Sequence, residues 1–247
     1  MAILVFDIET VPDYAAYARL LGLPADTQEA LLEEAWTAAQ RPFKAELQQI
    51  VSLAAAWIAD DGTLQRLATL GPDESHAVAQ FFELVNRHHP ILTGWNTSGF
   101  DIPVLLTRAL VHQIAAEDFY RYHLPYDGYL KRYSDKDHRD LMDLQSFFRT
   151  TTPLSLDEIA ALLHIPGKLG TDGSQVSGLY HAGEMDRIHA YCQHDVLTTA
   201  WVYRYLAVHR GWWSPEAGER FDASVSAFLE SRTSTHWDRF RAAQDVI

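Results

Sequence analysis

Apolar and polar positions along the chain predict strands and helices in a mixed order. The chain opens on an apolar run from Ile3 to Ile8, which is typical of a buried strand. A second apolar run covers residues 49–58, and a returning strand is predicted over 64–70. The intervening Asp60-Asp61-Gly62 has the composition of a hairpin turn, so these two strands are expected to be antiparallel.

Helical spacing dominates the rest of the chain. Residues 13–40 predict helix with a break at Gly22-Leu23-Pro24, and a short buried strand is expected over 90–95. Further helices are predicted over 74–88, 102–112, 155–164 and about 184–209, and in the C-terminal tail. Residues 118–139 and 165–180 are predicted to be insertions that could flank a site, the first irregular and the second containing a Gly-rich loop that runs to about residue 178. The order predicts an α/β protein with a mixed sheet that has one antiparallel member.

The first strand ends in two carboxylates, Asp7 and Glu9. Because side chains alternate along a strand, both project from the same face. Their mutual repulsion and the cost of leaving water are removed when both ligate one cation. The alternative is that Asp7 or Thr10 only caps the following turn.

Two further acidic positions follow the same logic. Asp101 comes after the short strand of residues 90–95, at the start of a helix, where Asp is also a common capping residue. Tyr191 and Asp195 are four residues apart in the long helix and therefore share one helical face. A carboxylate within an apolar helical stretch is costly to bury without a partner, which favours a ligand role for Asp195; the alternative is a solvent-facing Asp paired with a cation.

Composition limits the possible partners. With 247 residues, of which 47% are hydrophobic, the chain is long enough to bury a sizeable core as one large domain. The net charge of -13 disfavours binding along a long duplex, but it permits a nucleic acid that is engaged at one end. The single cysteine, Cys192, excludes an internal disulfide. No apolar stretch reaches the length of a membrane span and no signal-peptide pattern is present, so a cytoplasmic location is expected.

The motifs together resemble those of a known superfamily. In chain order they are Asp7-x-Glu9, Asn96-x-x-x-Phe100-Asp101 and Tyr191-x-x-x-Asp195. This order resembles the DEDD superfamily of 3′–5′ exonucleases, in the subclass whose third motif carries a tyrosine (DEDDy). The chain is most similar to a free-standing relative of the proofreading exonuclease domain of family-B DNA polymerases. The alternative subclass places a histidine five residues before the last Asp, where this chain has Ala190.

The resemblance extends beyond the three motifs and implies a fold and a domain. It includes the segments Arg139–Leu144 and Ser155–Ile159, with Pro166-Gly167-Lys168 and Asp172-Gly173-Ser174. It implies a ribonuclease H-like fold with about five strands, one of them antiparallel, flanked by helices. Residues 1–247 are expected to form one exonuclease domain, with the motifs within about 1–210 and a helical extension over about 211–247.

The resemblance also implies a site and a reaction. Metal ligands are expected at Asp7, Glu9, Asp101 and Asp195, whose oxygen donors suit two Mg²⁺ or Mn²⁺ ions about 4 Å apart. Tyr191 is expected to orient the attacking water, since a phenol with a pKa of about 10 is a poor base at neutral pH. The substrate is expected to be the 3′ end of single-stranded DNA or RNA, which is released as 5′-mononucleotides. The residues expected to contact it are Thr10, Asn96, Phe100, Lys168 and Ser174.

Alternatives stay open for the reaction and for several residues. An apolar strand followed by an acidic pair also occurs in haloacid-dehalogenase-type phosphatases, although Glu9 replaces the Asp expected there. A nucleic-acid-binding module with weak catalysis is another candidate. Phe100 is interpreted either as a base-stacking residue or as a core anchor, and Lys168 and Ser174 as surface-loop residues if they do not contact phosphates. The basic residues Lys131, Arg132, Lys136 and Arg139 either guide a single strand or form a solvated charge run.

Overall fold

The computed structural model describes residues 1–122, 127–167 and 175–244. Its centre is a sheet of five strands in the order β3-β2-β1-β4-β5. β2 pairs antiparallel with β1 and β3, whereas β1, β4 and β5 are mutually parallel. The sheet is therefore mixed with one antiparallel member, as predicted. The strands are β1 (Ile3–Pro12), β2 (Gln48–Ile58), β3 (Leu64–Thr69), β4 (Ile91–Gly94) and β5 (His138–Asp140).

Helices flank the sheet, and five of the described helices (α1, α3, α6, α7 and α10) begin at a side chain that caps the first turn. Asp13 and Asp73 accept hydrogen bonds from backbone amides at the starts of α1 and α3. Ser155 and Glu158 form a capping box at α7. The helices are α1 (Tyr14–Leu21), α2 (Glu29–Ala38), α3 (Glu74–His88), α4 (Asp101–Val111), α5 (Glu117–Arg121), α6 (Leu141–Gln145), α7 (Leu156–Leu162), α8 (Val176–His181), α9 (Met185–His209), α10 (Pro215–Glu230) and α11 (Asp238–Gln244).

β1 separates two hydrophobic cores. Ile3 and Val5 face a core that contains α9 and α10, whereas Leu4, Phe6 and Ile8 face a core that contains α3 and α4. This alternation follows from the strand period of two. Asp7 and Glu9 continue the series of Ile3 and Val5, so their side chains lie on the α9 face of the sheet.

The prediction for residues 118–139 is wrong at both ends of that segment. α5 extends to Arg121, and β5 begins at His138 and pairs with β4. A strand of three residues is too short to show an alternating pattern, which explains why the sequence does not reveal it.

Candidate active site

The two carboxylates of β1 meet a cysteine from α9. Ligand atoms of Asp7, Glu9 and Cys192 lie within 4.8 Å of one another. The Cys192 thiol donates to the Asp7 backbone oxygen at 3.3 Å and lies 3.7 Å from Asp7 Oδ2. Glu9 and Cys192 are buried and Asp7 is half-buried. The thiol therefore holds one carboxylate of the pair in place.

Asp101 reaches this cluster from the other side of the sheet edge. The pairing between β1 and β4 ends at Val5 and Thr93, which leaves later amides of β1 without a strand partner on that side. Asp101 Oδ1 accepts a hydrogen bond from the Ile8 backbone amide at 3.2 Å. Asp101 is only 3% exposed, and its carboxylate accepts the hydrogen bond that a neighbouring strand would otherwise accept from Ile8. Ile8 is the residue between Asp7 and Glu9, so the Asp101 carboxylate lies beside this pair.

α9 supplies the third pair of predicted residues. Tyr191 and Asp195 are both buried, with Cys192 directly after Tyr191 on the same helix. The pKa of Tyr191 is raised by burial and by the charges of Asp195, Glu9 and Asp7, with a hydrogen bond to Asp195 adding to the effect. The structure therefore brings Asp7, Glu9, Asp101, Tyr191 and Asp195 to one place around the middle of β1, which does not end at the two carboxylates as predicted but continues to Pro12.

Burial and charge repulsion raise the pKa of two carboxylates of this site, Asp7 and Asp101. Burial raises the pKa of Asp7 well above its ordinary range, and the charges of Glu9, Asp101 and Asp195 raise it further, while the hydrogen bond from Cys192 lowers it. Burial also raises the pKa of Asp101 to about 8, although hydrogen bonds from backbone amides oppose the shift. Without a cation the cluster therefore does not carry its full negative charge at neutral pH.

The two other titratable groups stay neutral. Burial and the neighbouring carboxylates raise the pKa of the Cys192 thiol, as they do for the phenol of Tyr191. Both groups therefore act as hydrogen-bond donors at neutral pH, not as nucleophiles or bases.

The site fits divalent cations with a preference for oxygen ligands. Asp7, Glu9, Asp101 and Asp195 offer carboxylate oxygens, and a cation among them would offset the repulsion that raises their pKa values. The protonated Cys192 is engaged with Asp7 and is a poor match for a hard cation. The four carboxylates are therefore the residues able to hold Mg²⁺ or Mn²⁺.

Three of the five predicted substrate-binding residues, Thr10, Asn96 and Phe100, lie in segments that the structure describes. Thr10 is half-buried and lies next to the register shift in the pairing of β1 with β2. Asn96 has a positive φ of 63°, and its side-chain oxygen accepts from Arg149 Nη2 at 2.5 Å. Phe100 is half-buried against the core of α3 and α4, and its ring stacks on that of Phe43 with centroids 6.1 Å apart. Lys168 and Ser174 lie outside the described residues.

Asp140, which no sequence motif marked as a functional residue, fixes the connection between β4 and α4. Its carboxylate accepts from the backbone amides of Asn96 at 3.1 Å and Ser98 at 2.8 Å. It also caps α6 by accepting from Met142 and Asp143. The loop that leads to Asp101 is therefore tied to β5. The segment Arg139–Leu144, already part of the resemblance, was the available signal for this role.

The start of the same loop requires a glycine. A Cβ added to Gly94 would lie 2.8 Å from the Phe6 backbone oxygen and closer still to Thr97. The absence of a side chain thus allows the chain to leave β4 close against β1, which places the loop next to Asp7.

Comparison with solved structures supports the fold. The chain is similar to the family B DNA polymerase from the hyperthermophilic archaeon Pyrobaculum calidifontis, with 16% sequence identity and a TM-score of 0.51. The similarity covers 97% of this chain and 29% of that chain, so this chain spans less than a third of the polymerase. At this identity the likeness concerns the fold, a mixed five-stranded α/β sheet of the ribonuclease H-like kind.

A family model identifies the family of the chain, although a search of curated proteins finds no match. Among the described residues, no helix has the length and apolar character needed to cross a membrane. A family model matches residues 41–244, a range that begins after β1 and therefore leaves Asp7 and Glu9 to be placed by the structure. The chain belongs to the family described as predicted 3′–5′ exonucleases related to the exonuclease domain of PolB.

Proposed function

We propose that the chain is a metal-dependent 3′–5′ exonuclease that hydrolyses the terminal phosphodiester of single-stranded DNA or RNA and releases 5′-mononucleotides. The observation that carries this proposal is the meeting of carboxylates from β1, α4 and α9 around the middle of β1. Membership of the exonuclease family supports the reaction class.

Asp7, Glu9, Asp101 and Asp195 would hold two Mg²⁺ or Mn²⁺ ions in this mechanism. When bound, such ions supply Lewis-acid chemistry: they lower the pKa of a water and neutralise charge on the phosphate and the leaving oxygen. The raised pKa values of Asp7 and Asp101 mean that these carboxylates give up protons when they bind cations.

Tyr191 orients the attacking water in this proposal. Its neutral phenol donates a hydrogen bond, and the nearby Asp195 accepts from it, which limits the positions the hydroxyl can take. The direction of its pKa shift, which keeps the phenol protonated at neutral pH, argues against a role as general base.

The direct test is a shortening assay. The protein is incubated with 5′-labelled single-stranded DNA and RNA oligonucleotides in Mg²⁺ or Mn²⁺, and a ladder of shortened products with 5′-mononucleotide release is expected. Mutation of a residue that only hydrogen-bonds to a metal ligand typically costs roughly 10- to 100-fold in activity. Because Asp7 is a proposed ligand itself, Asp7→Asn should lower the rate by more than this. Asp26→Asn is the matched control, since that carboxylate is exposed.

Other outcomes of the assay would contradict the proposal. Binding without shortening in either metal would identify a nucleic-acid-binding module. Release of inorganic phosphate from a small phosphomonoester would support the phosphatase alternative. Cleavage of a circular single strand would identify an endonuclease.

A further inference from the structure

A cavity of about 390 Å³ lies beside the loop that leads to Asp101. Ser98 and Gly99 of that loop line it, as does Ile102, the residue directly after Asp101. This volume lies within the range of small-ligand sites. The cavity therefore begins one residue from the candidate active site.

The opposite wall combines aromatic rings with positive charge. It contains Lys131, Arg132, Tyr133, Phe148 and Arg149. The rings of Tyr133 and Phe148 meet edge to face with centroids 5.0 Å apart, and the Arg132 guanidinium lies 5.1 Å from the centre of the Tyr133 ring. Aromatic faces for bases and cations for the backbone are the elements with which proteins bind single-stranded nucleic acid.

The structure divides the basic residues of this segment into two groups. Lys136 pairs with Asp127 at 2.5 Å, and Arg139 lies over the Trp212 ring at 3.8 Å, so both are used within the fold. Lys131 and Arg132 line the cavity, and no carboxylate in the described part of the chain lies within ion-pairing distance of either. In a protein with a net charge of -13, two such cations beside an acidic centre favour an anionic ligand there.

Backbone conformation also singles out this wall. Tyr133, Phe147, Phe148 and Arg149 all have positive φ, an unfavourable conformation for residues other than glycine. Arg149 is held by hydrogen bonds to Asp143 at 2.9 Å and to the Asn96 side chain. The wall is therefore fixed to the loop that carries Asp101, and strained residues of this kind cluster at ligand sites.

We propose that this cavity seats the nucleotide on the 5′ side of the scissile phosphodiester, which rests on the proposed exonuclease function. Lys131 and Arg132 bind its backbone phosphate, and Tyr133 and Phe148 provide the surface on which its base stacks. A nucleic-acid strand bound by its 3′ end continues only in the 5′ direction. All of its phosphates other than the scissile one therefore lie upstream, and Lys131 and Arg132 are placed to bind the first of them. Gly99 also borders a second hollow next to Phe43, whose ring stacks on Phe100, so a separate place is available for the terminal nucleotide.

Binding measured without metal tests the subsite independently of catalysis. Fluorescence anisotropy with a labelled single-stranded oligonucleotide in EDTA compares the native protein with the K131E/R132E variant. We expect affinity to fall roughly tenfold or more, and the slope of log K against log salt to decrease by about 0.7 for each lost phosphate contact. R66E/R87E is the matched control, because it reverses two exposed charges in a hollow whose lining contains no residue of the candidate site. An equal loss of affinity in both variants, or in neither, would overturn the subsite.

Kinetics distinguish the upstream nucleotide from the terminal one. The oligonucleotide is compared with the p-nitrophenyl ester of a nucleoside 5′-monophosphate, which has no upstream nucleotide. We expect the ratio of kcat/KM for the two substrates to fall roughly tenfold or more in K131E/R132E, through KM for the oligonucleotide. Tyr133→Leu should lower the same ratio about fivefold or more through lost stacking.

Each remaining outcome has one meaning. An unchanged kcat/KM ratio in K131E/R132E would overturn the upstream assignment. Weaker inhibition by the 5′-mononucleotide product in this variant would also overturn it, because the cavity would then hold the released nucleotide. If the native protein cleaves neither substrate, the proposed function fails, while the binding comparison still decides whether the cavity binds a single strand.

Discussion

At the scale of a single residue, the proposed role of Asp101 as a metal ligand makes metal binding depend on pH. The Asp101 pKa of about 8 lies above the ordinary value of about 3.9, so the folded metal-free protein takes up a proton that the unfolded chain has released. The contribution of Asp101 to stability is thus fully present below about pH 4 and is lost as the pH rises to about 8. Cations compete with this proton, so their effect grows with pH.

The first prediction follows from that sign. The rise in Tm caused by saturating Mn²⁺ should be larger near pH 9 than near pH 6, measured by thermal unfolding. Asp101→Asn should flatten the pH dependence of the metal-free Tm between these values. A metal-induced shift that is equal at both pH values would contradict the assignment of Asp101 as a ligand.

Tyr191→Phe separates water orientation from base catalysis. Phe retains the packing of the buried ring and removes the hydroxyl, so kcat should fall roughly 10- to 100-fold while metal affinity and Tm stay close to those of the native protein. The pH–rate profile of the remaining activity should keep its shape, because the native phenol does not ionise in the range tested. Loss of an alkaline limb in the variant would instead identify Tyr191 as a titrating base.

Residue type and order single out the carboxylates that the structure brings together, but not the residues that hold them in place. Asp7, Glu9 and Asp101 stand in positions where strand period and helix start limit where a side chain can point. Cys192 and Asp140 act through contacts between residues far apart in the chain, to the Asp7 carbonyl and to the loop amides of Asn96 and Ser98. Such contacts depend on tertiary packing, which no local pattern encodes.

At the scale of elements, the loop between β4 and α4 is held by Asp140, the residue that also caps the start of α6. Asp140→Asn replaces one acceptor oxygen with an NH₂ group that faces backbone donors, so buried amides lose their partner. The free energy of unfolding should fall by about 1–3 kcal/mol in urea titrations. Exonuclease activity should fall as well, because the loop fixes Asp101. Asp26→Asn is the exposed control, and an equal stability of both variants would contradict this role for Asp140.

Element prediction succeeded where the periodic signal is long. The helix predicted over 74–88 is α3, and the helix predicted over about 184–209 agrees closely with α9. The hairpin followed from its turn residues Asp60-Asp61-Gly62. β5 was missed because three residues carry no period, and its pairing with β4 is set by the loop contacts of Asp140 and of His138 with Thr97.

At the scale of the whole molecule, Arg108 joins elements that are distant in the chain. This arginine of α4, 5% exposed, donates to Asp13 at 2.6 Å and to Glu74 at 2.6 Å, the residues that begin α1 and α3. Glu74 also accepts from the Ile50 amide of β2. The network therefore fixes α4, and with it Asp101, relative to the sheet.

Arg108→Met tests this connection. The variant leaves the half-buried carboxylates of Asp13 and Glu74 without the arginine, while Glu74 keeps its contact with His112 at 2.8 Å, so the free energy of unfolding should fall by about 3 kcal/mol. The triple variant D13N/R108M/E74Q, which also neutralises the two partners, should recover part of that loss in urea titrations. A single variant as stable as the native protein would show that the network contributes nothing to the placement of α4.

Residues 211–247 are proposed to fold as part of one domain with the motifs. Phe221 of α10 and Trp237 are buried in the same core as Trp201 of α9, and a Cβ on Gly62 would lie 2.3 Å from the Ala217 backbone oxygen, so the hairpin packs directly on α10.

Removing residues 211–247 would expose this apolar face of α9. The shortened chain should lose its cooperative thermal transition, or unfold at a clearly lower Tm, in calorimetry. Full-length Gly62→Ala should show a smaller decrease, because it strains only the contact at the turn. If the shortened chain kept the native Tm, residues 1–210 would be an independent domain and 211–247 an appendage.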